Sequence, residues 1–227
     1  GVLLPISSLP GAYGIGTMGR EAYHFVDCLK KAGQTYWQVL PVGPTSFGDS
    51  PYQSFSAFAG NPYMIDLEQL MDEGLLRRKE VEELDWGADP EDIRYDLLFE
   101  NRFSVLRLAY SRSGFKKERE YQTFTGKNKY WLADYCLYMA LKFHFQNQEW
   151  LRWEEDIRFH RPEAVQYYGE KLQEEIDFWS FCQYKFFQQW NRLKKYAHKK
   201  HIYFIGDIPL YVSLDSADVW AHPELFQ

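Results

Sequence analysis

The sequence lacks the patterns that mark membrane, secreted and nucleic-acid-binding proteins. It contains no run of eighteen apolar residues, so no membrane-spanning helix is predicted. No basic segment followed by an apolar one opens the chain, so no secretory leader is predicted. Its basic residues form no block beyond a short Lys/His run near residue 199, and the net charge is -6. Because nucleic acid binding needs a concentrated positive face, we expect no nucleic-acid partner. Because no apolar run is long enough to span a bilayer, we expect no membrane partner.

Cysteine is scarce, and the chain has no metal-binding motif. Cys28, Cys136 and Cys182 are odd in number, widely spaced and set in helix-like patterns. We interpret them as small buried apolar side chains in a reducing compartment, and we expect a cytoplasmic protein. The six histidines show no metal spacing, and no Cys-x-x-Cys, His-Glu-x-x-His or Gly-x-Ser-x-Gly motif occurs. No metal site is predicted.

The chain is rich in aromatic and apolar residues. Hydrophobic residues make up 45% of the 227 positions and aromatic residues 19%, enough to bury a sizeable core. The chain starts inside an apolar run without Met and stops without a terminating pattern, so we expect a piece of a longer protein.

The first 42 residues predict a parallel β-α-β unit. Val2–Ile6 is a short apolar run that indicates a buried strand. Residues 20–33 have one apolar face and end at Gly33, a typical residue at a helix C-terminus. Thr35–Val42 is β-branched and aromatic, which predicts a second strand. Two strands joined by a helix with short links form a right-handed crossover.

The rest of the chain is predicted to be mainly helical, with one more strand. Residues 66–170 indicate a helical insertion, which includes amphipathic helices over 92–110 and 129–146. A long helix over 169–200 carries an apolar stripe, which we interpret as core, with Gln183 as a hydrogen-bonded or boundary amide. Ile202–Val212 predicts a third buried strand.

Three glycines match the dinucleotide-binding pattern. Gly14, Gly16 and Gly19 follow a strand and precede a helix, as G-x-G-x-x-G does in such proteins. No Asp or Glu occurs between Gly33 and Gly48 to hold a ribose hydroxyl, which argues against a nucleotide cofactor.

Other candidate residues lie in two loops. Residues 48–63 contain no Lys or Arg and a single acidic residue, yet include four aromatics, so this loop either packs against or binds something. Asp207 follows the third strand, at the edge where barrel enzymes place their active sites, and we favour a functional role for it over a turn residue. Residues 215–220 fit a capped helix start and a functional motif equally well.

Four stretches together resemble one family, the 4-α-glucanotransferases or amylomaltases. They are GVLLPISSLPGAYGIG, YWQVLPVGPTSFGDSPYQSFSAFAGNPYMIDLEQL, WLADYCLYMALK and GDIPLYVSLDSADVWAHPELF. The resemblance implies a (β/α)8 TIM barrel, of which this chain would hold about three strands and a mainly helical insertion. It also implies retaining transfer of α-1,4-glucan segments to the 4-hydroxyl of an acceptor, with maltooligosaccharides and α-1,4-glucans as partners and no cofactor.

The same resemblance assigns site residues and divides the chain. It implies that Tyr52 stacks on a glucose ring, that Ser50 offers a hydroxyl contact and that Asp207 contacts the sugar. The nucleophile and the acid/base are expected after Gln227, so no catalytic residue is assigned here. The division is 1–52 for the first barrel strands and helix with the start of the substrate loop, 53–168 for the substrate loop and insertion, and 169–227 for the long helix, third strand and following loop.

Three alternatives remain at this stage. One is an α-glucan hydrolase on the same scaffold, since sequence does not separate transfer from hydrolysis. Another is a carbohydrate-binding protein without catalysis. The third is a nucleotide-binding oxidoreductase, which depends on Gly14–Gly19 alone. The oligomeric state is not predicted.

Overall fold

The computed structural model describes residues 1–45, 50–89, 91–209 and 212–226. Three short strands, β1 to β3, occur in this part of the chain. The α-helices are numbered α1 to α10. The strands are Val2–Leu3, Tyr36–Gln38 and Tyr203–Ile205, and the helices are Arg20–Lys31, Leu67–Asp72, Arg78–Glu82, Tyr95–Arg112, Arg119–Asn128, Leu132–His144, Glu155–Arg158, Pro162–Lys171, Gln173–Lys199 and Ala217–Ala221.

The strands form a parallel sheet in the order β1-β2-β3. Trp37 of β2 pairs with Val2 on one side and with Phe204 on the other. Its indole nitrogen donates to the carbonyl of Leu4 at 2.8 Å, and its side chain is fully buried. The predicted parallel arrangement is therefore observed, with β1, α1 and β2 forming the expected unit.

The strands are shorter than predicted. Proline limits β1 and β2, because it cannot donate a hydrogen bond to a strand ladder. Pro5 precedes a 3-10 turn over Ile6–Ser8, and Pro41 follows β2. The third strand ends at Ile205, before Gly206 and ahead of Pro209. The end of the predicted third strand, at residues 210 and 211, lies outside the described residues.

One face of the sheet is covered, and the other is open. Phe25 of α1 meets Trp37 edge-on at 4.8 Å between ring centroids, and Trp190 of α9 meets Phe204 at 4.7 Å. Alternation along the strands turns Tyr36, Tyr203 and Ile205 to the opposite side, where each is more than 40% exposed. The strands β2 and β3, predicted to be buried, are therefore covered on one face only in the described chain.

The chain divides into two compact units, each built from three segments. The first consists of residues 1–42, 61–114 and 185–208, and the second of residues 43–60, 115–184 and 209–227. The sheet, α1 and α4 belong to the first unit. The second is helical, and α6 and α10 pack together in its core, which includes the fully buried rings of Tyr138, Phe181 and Trp220.

The end of α1 agrees with the sequence prediction, whereas the bounds of α8 and the start of α9 do not. Gly33 has φ of +68°, a left-handed conformation that ends α1, and Gln34 donates to the carbonyl of Leu29 at 2.9 Å. The predicted long helix over 169–200 is instead two helices, α8 and α9, that meet at Leu172. Pro162 occupies the first turn of α8, where its missing N–H has no cost.

Cys28 does not fit the prediction of three buried thiols. Cys136 and Cys182 are buried, but Cys28 lies on the solvent side of α1, whose inward face is Ala22, Val26 and Leu29. In the described part of the chain, no helix combines the length and apolar character needed to cross a bilayer.

Candidate functional site

The aromatic loop of residues 48–63 is held by a carboxylate that is distant in the sequence. Asp218, in α10, accepts from the backbone N–H of Ala57 at 2.7 Å and from the hydroxyl of Ser56 at 3.1 Å. Ser56 in turn accepts from the N–H of Phe58 at 3.1 Å. A charged acceptor makes stronger hydrogen bonds than a neutral one, so Asp218 sets the conformation of residues 56–58.

Burial perturbs this carboxylate. Desolvation raises the pKa of Asp218 above its usual range, and the bonds from Ala57 and Ser56 oppose the rise. Ser216 caps α10 by accepting from Val219 N–H at 3.3 Å, and Ala217 N–H donates to the Phe55 carbonyl at 2.8 Å. The sequence left open whether residues 215–220 have a structural or a functional role. In the described contacts, Ser216 caps a helix and Asp218 anchors the loop.

A buried glutamine holds the end of the same loop. The side-chain oxygen of Gln183 accepts from Gly60 N–H at 2.8 Å, and its amide nitrogen donates to the Gly60 carbonyl at 2.9 Å. Gln183 is fully buried, so both polar groups of Gly60 are satisfied without water. The interpretation of Gln183 as a hydrogen-bonded buried amide is confirmed.

Asp215 is the centre of a second polar network in this unit. Its carboxylate accepts from the Tyr138 hydroxyl and the Lys142 ammonium, both at 2.7 Å, and from Trp150 N–H at 3.2 Å. Lys142 is only 4% exposed at its side chain. Burying an ammonium requires a charged partner and further acceptors. Asp215 is the charged partner, and the carbonyls of Asn147 and Gln148 are the further acceptors. The network connects α6 to the segment before α10.

The structure brings two of the three predicted substrate residues together. Ser50 Oγ accepts from Tyr52 N–H at 3.3 Å, and the Ser50 carbonyl accepts from Gln53 N–H at 3.1 Å. Tyr52 is 44% exposed, on the same loop that Asp218 and Gln183 fix. Residues 46–49, including Gly48 and Asp49 of the predicted loop, lie outside the described residues.

Asp207 belongs to the first unit, as predicted just past the carboxyl end of a parallel strand. It is half-buried, and its carboxylate accepts from Ile208 N–H at 2.9 Å. Its role toward a substrate stays a prediction.

The glycine pattern has a packing explanation. A methyl group on Gly16 would overlap the Ile6 carbonyl oxygen, and one on Gly19 would overlap the Asp66 carboxylate. Asp66 accepts from Thr17 Oγ1 at 2.7 Å and caps α2 through Gln69 N–H at 3.0 Å. A carboxylate thus lies against Gly19 at the start of α1, where a dinucleotide fold needs its phosphates. This arrangement favours a structural role for the glycines.

Sequence reasoning missed Arg102, a fully buried residue of α4. Its guanidinium donates to the carbonyls of Tyr13 at 3.3 Å and Ile65 at 3.4 Å, and lies 5.4 Å from the Trp86 ring centroid. Burial lowers its pKa to about 10, so it is charged at neutral pH. Arg102 fixes the loop after β1, which lines a cavity of about 770 Å³. An arginine among the apolar residues of a helix was the available signal.

A model of the 4-alpha-glucanotransferase family matches residues 4–227. The chain belongs to this family. The 4-alpha-glucanotransferase of Clostridium butyricum is 52% identical over 97% of this chain and 45% of that protein, and that of Thermus thermophilus is 46% identical over 100% of this chain and 45% of that protein. The chain thus spans about half the length of the curated relatives it matches.

Solved structures extend the comparison to the fold. The amylomaltase from Streptococcus agalactiae in complex with acarbose is 46% identical and superposes with a TM-score of 0.94, covering 100% of this chain and 46% of that one. The amylomaltase from Corynebacterium glutamicum is 17% identical, with a TM-score of 0.74 over 98% of this chain and 32% of that chain, and shares the fold. The family predicted from the four motifs is confirmed.

Proposed function

We propose that this chain supplies the N-terminal portion of a 4-α-glucanotransferase. The enzyme would move a segment of an α-1,4-glucan to the 4-hydroxyl of an acceptor glucan or of glucose. The observation that carries the proposal is the family match over residues 4–227, supported by the likeness to an amylomaltase solved with acarbose. Since the chain spans about half of its curated relatives, this activity is proposed for the whole protein.

Three residues of this chain contact the substrate in the proposal. The ring of Tyr52 covers the C–H face of a glucose unit while its hydroxyl points outward. Ser50 offers a hydroxyl beside it. Asp207 accepts hydrogen bonds from sugar hydroxyls, and a charged acceptor makes such bonds stronger. The exposure of Tyr52 on an anchored loop supports this assignment.

The proposed chemistry is a retaining double displacement. It requires two carboxyl groups about 5–5.5 Å apart. One group, as a carboxylate, attacks the anomeric carbon and forms the glycosyl-enzyme, while the other, as a carboxylic acid, protonates the departing glycosidic oxygen. The acceptor 4-hydroxyl then attacks the same carbon, gives its proton to the second group and displaces the first carboxylate. We place both groups after Gln227. No cofactor is needed, because the covalent glycosyl-enzyme conserves the glycosidic bond energy.

The proposal includes an architecture and a location. The three parallel strands would be the first of eight in a TIM barrel, with residues 1–52 and 169–227 as barrel segments and 53–168 as the substrate loop and insertion. The two buried cysteines support a reducing, cytoplasmic setting.

Product analysis of the full-length protein tests the proposal. Incubation with maltotriose is expected to give glucose together with maltopentaose and longer chains. Glucose and maltose without longer chains would instead identify a hydrolase. Absence of any product, with maltooligosaccharide binding retained, would identify a binding protein.

A further inference from the structure

Two large aromatic side chains lie exposed at the loop of residues 48–63, one on the loop itself and one beside it. Phe58 is 48% exposed and Tyr130 is 60% exposed. Their ring centroids are 5.4 Å apart and their planes nearly perpendicular, at 88°. Phe58 is also stacked on Trp131, at 6.4 Å and 24°, and Trp131 is only 4% exposed. We call Phe58 and Tyr130 the aromatic pair.

The exposure of the aromatic pair does not come from a loose chain. On one side, the backbone N–H groups of Ala57 and Phe58 bind Asp218 and Ser56, and both polar groups of Gly60 bind the buried Gln183. The loop is therefore held on both sides of the Phe58 ring.

The Tyr130 side is also held by hydrogen bonds. The backbone N–H of Trp131 donates to the Asn128 carbonyl at 3.2 Å, and its indole nitrogen donates to Asn128 Oδ1 at 3.0 Å. The Asn128 amide donates to the Phe124 carbonyl at 2.8 Å, at the end of α5. Both rings thus stand on a fixed backbone with Trp131 beneath Phe58.

The chemistry of the aromatic pair fits a sugar ring. Phe58 has no polar atom, so its ligand must present an apolar surface, and the C–H face of a glucose unit does so. Tyr130 adds a ring whose hydroxyl can bond to sugar hydroxyls. Flat rings on a fixed backbone lose little conformational entropy on binding.

The position on the chain points to the same ligand. Phe58 lies six residues after Tyr52, on the loop whose substrate role is part of the proposed function. We propose that the aromatic pair binds a glucose unit of the α-1,4-glucan remote from the bond that is exchanged. This inference rests on the proposed function and adds a contact that only longer chains reach.

Chain-length dependence provides the experiment. Phe58→Ala and Tyr130→Ala are made in the full-length protein, and kcat and KM are measured with maltotriose and with maltoheptaose. We expect KM for maltoheptaose to rise at least fivefold, with kcat changed less than twofold. KM for maltotriose should stay within twofold. The Kd of maltoheptaose, measured by titration calorimetry, should rise by the same factor.

Two kinds of control separate binding from packing. Phe159→Ala removes another aromatic side chain of the second unit, 61% exposed, and should leave both KM values unchanged. Phe58→Tyr and Tyr130→Phe keep the rings and should keep most of the affinity.

The outcomes are distinct. Unchanged Kd for maltoheptaose in both alanine variants would overturn the inference. An equal rise of KM for maltotriose and for maltoheptaose would overturn it too. So would a fall in melting temperature large enough to account for the lost binding. A change in oligomeric state with unchanged Kd would identify a protein contact and overturn it too. If the wild-type protein forms no longer chains, the proposed function fails, while the calorimetric comparison still decides whether the aromatic pair binds glucan.

Discussion

The carboxylate of Asp218 accepts a hydrogen bond of 2.7 Å from the backbone N–H of Ala57, 161 positions earlier in the chain. The loop that carries Tyr52 and Phe58 is thus shaped by a residue from the far end of the sequence. Gln183 acts on the same loop through Gly60. The predicted substrate loop therefore depends on non-local contacts for its conformation, and these contacts can be removed one at a time.

Replacing Asp218 should loosen the loop. Asp218→Ala removes acceptors for Ala57 N–H and the Ser56 hydroxyl, and hydrogen bonds to charged groups contribute about 1.5–3 kcal/mol. We expect the free energy of unfolding to fall by about 2 kcal/mol, measured by urea unfolding. Asp218→Asn keeps an acceptor for Ala57 and should lose less than half as much. Equal losses in the two variants would show that the hydrogen bonds to Asp218 do not hold the loop.

Replacing Gln183 should have a larger effect, because it leaves two buried backbone groups unsatisfied. Each such group costs about 1–3 kcal/mol, so Gln183→Leu should lower the free energy of unfolding by about 2–6 kcal/mol. Gln173→Leu, at the exposed start of the same helix, is the matched control and should change it by less than about 0.5 kcal/mol. A Gln183→Leu protein as stable as wild type would mean that the N–H and carbonyl of Gly60 can form hydrogen bonds with water instead.

The contrast between these anchors and the helices shows what the sequence could predict. Gly33 determines a helix end through local backbone geometry, so the end of α1 could be located from the residues alone, whereas the start of α8 at Pro162 was missed. The parallel β-α-β unit followed from periodicity. The extent of the strands did not, because the apolar runs continue past Pro5 and Pro41 while the hydrogen-bond ladder of β1 and β2 stops before them.

The candidate site divides in the same way. Tyr52 and Asp207 were selected by residue type, loop position and family resemblance. The partners of Asp218, Asp215 and Arg102 could not be predicted, because their side-chain hydrogen bonds join residues 37 to 162 positions apart. Polar side chains within apolar patterns were visible, but their partners are determined by tertiary packing.

Glu80 should make part of the stability sensitive to acid. Hydrogen bonds from Arg112, and the backbone bond from Arg77, lower the pKa of Glu80 from 4.5 to about 2. A carboxylate with a lowered folded-state pKa stabilises the fold above its unfolded pKa, and this contribution is lost as the pH falls through the folded value. The urea midpoints of wild type and Glu80→Gln should therefore differ at pH 6 and converge between pH 4.5 and about 2.

A matched control for this pH dependence lies at the C-terminal end of the same helix. Glu83→Gln removes an exposed carboxylate just past the end of α3. The midpoint difference between Glu83→Gln and wild type should be smaller at pH 6 than that of Glu80→Gln. A constant difference between wild type and Glu80→Gln from pH 6 to 2 would contradict the ion pair as its source.

Tyr52→Ala should impair activity without unfolding the protein. The ring is 44% exposed, so its removal leaves no core cavity. Stacking of a flat ligand on an aromatic ring contributes about 1–3 kcal/mol in nucleic-acid complexes, and a similar contribution for glucose predicts a loss of about 5- to 150-fold in kcat/KM on maltotriose. Tyr52→Phe keeps the ring and should lose much less. A Tyr52→Ala value within twofold of wild type would exclude the stacking role.

Asp207→Asn should lower kcat far more than it lowers stability. The residue follows β3 and is half-buried, and its carboxylate accepts from the adjacent Ile208 N–H at 2.9 Å. Asparagine keeps an oxygen for that bond, so the melting temperature should change little, and removing a half-buried charge reduces its desolvation cost. A carboxylate that accepts from sugar hydroxyls, in contrast, loses its charge-assisted bonds to the substrate. The measurement is kcat on maltotriose together with the melting temperature of the full-length protein. Normal kcat with a large fall in melting temperature would identify Asp207 as a structural turn residue.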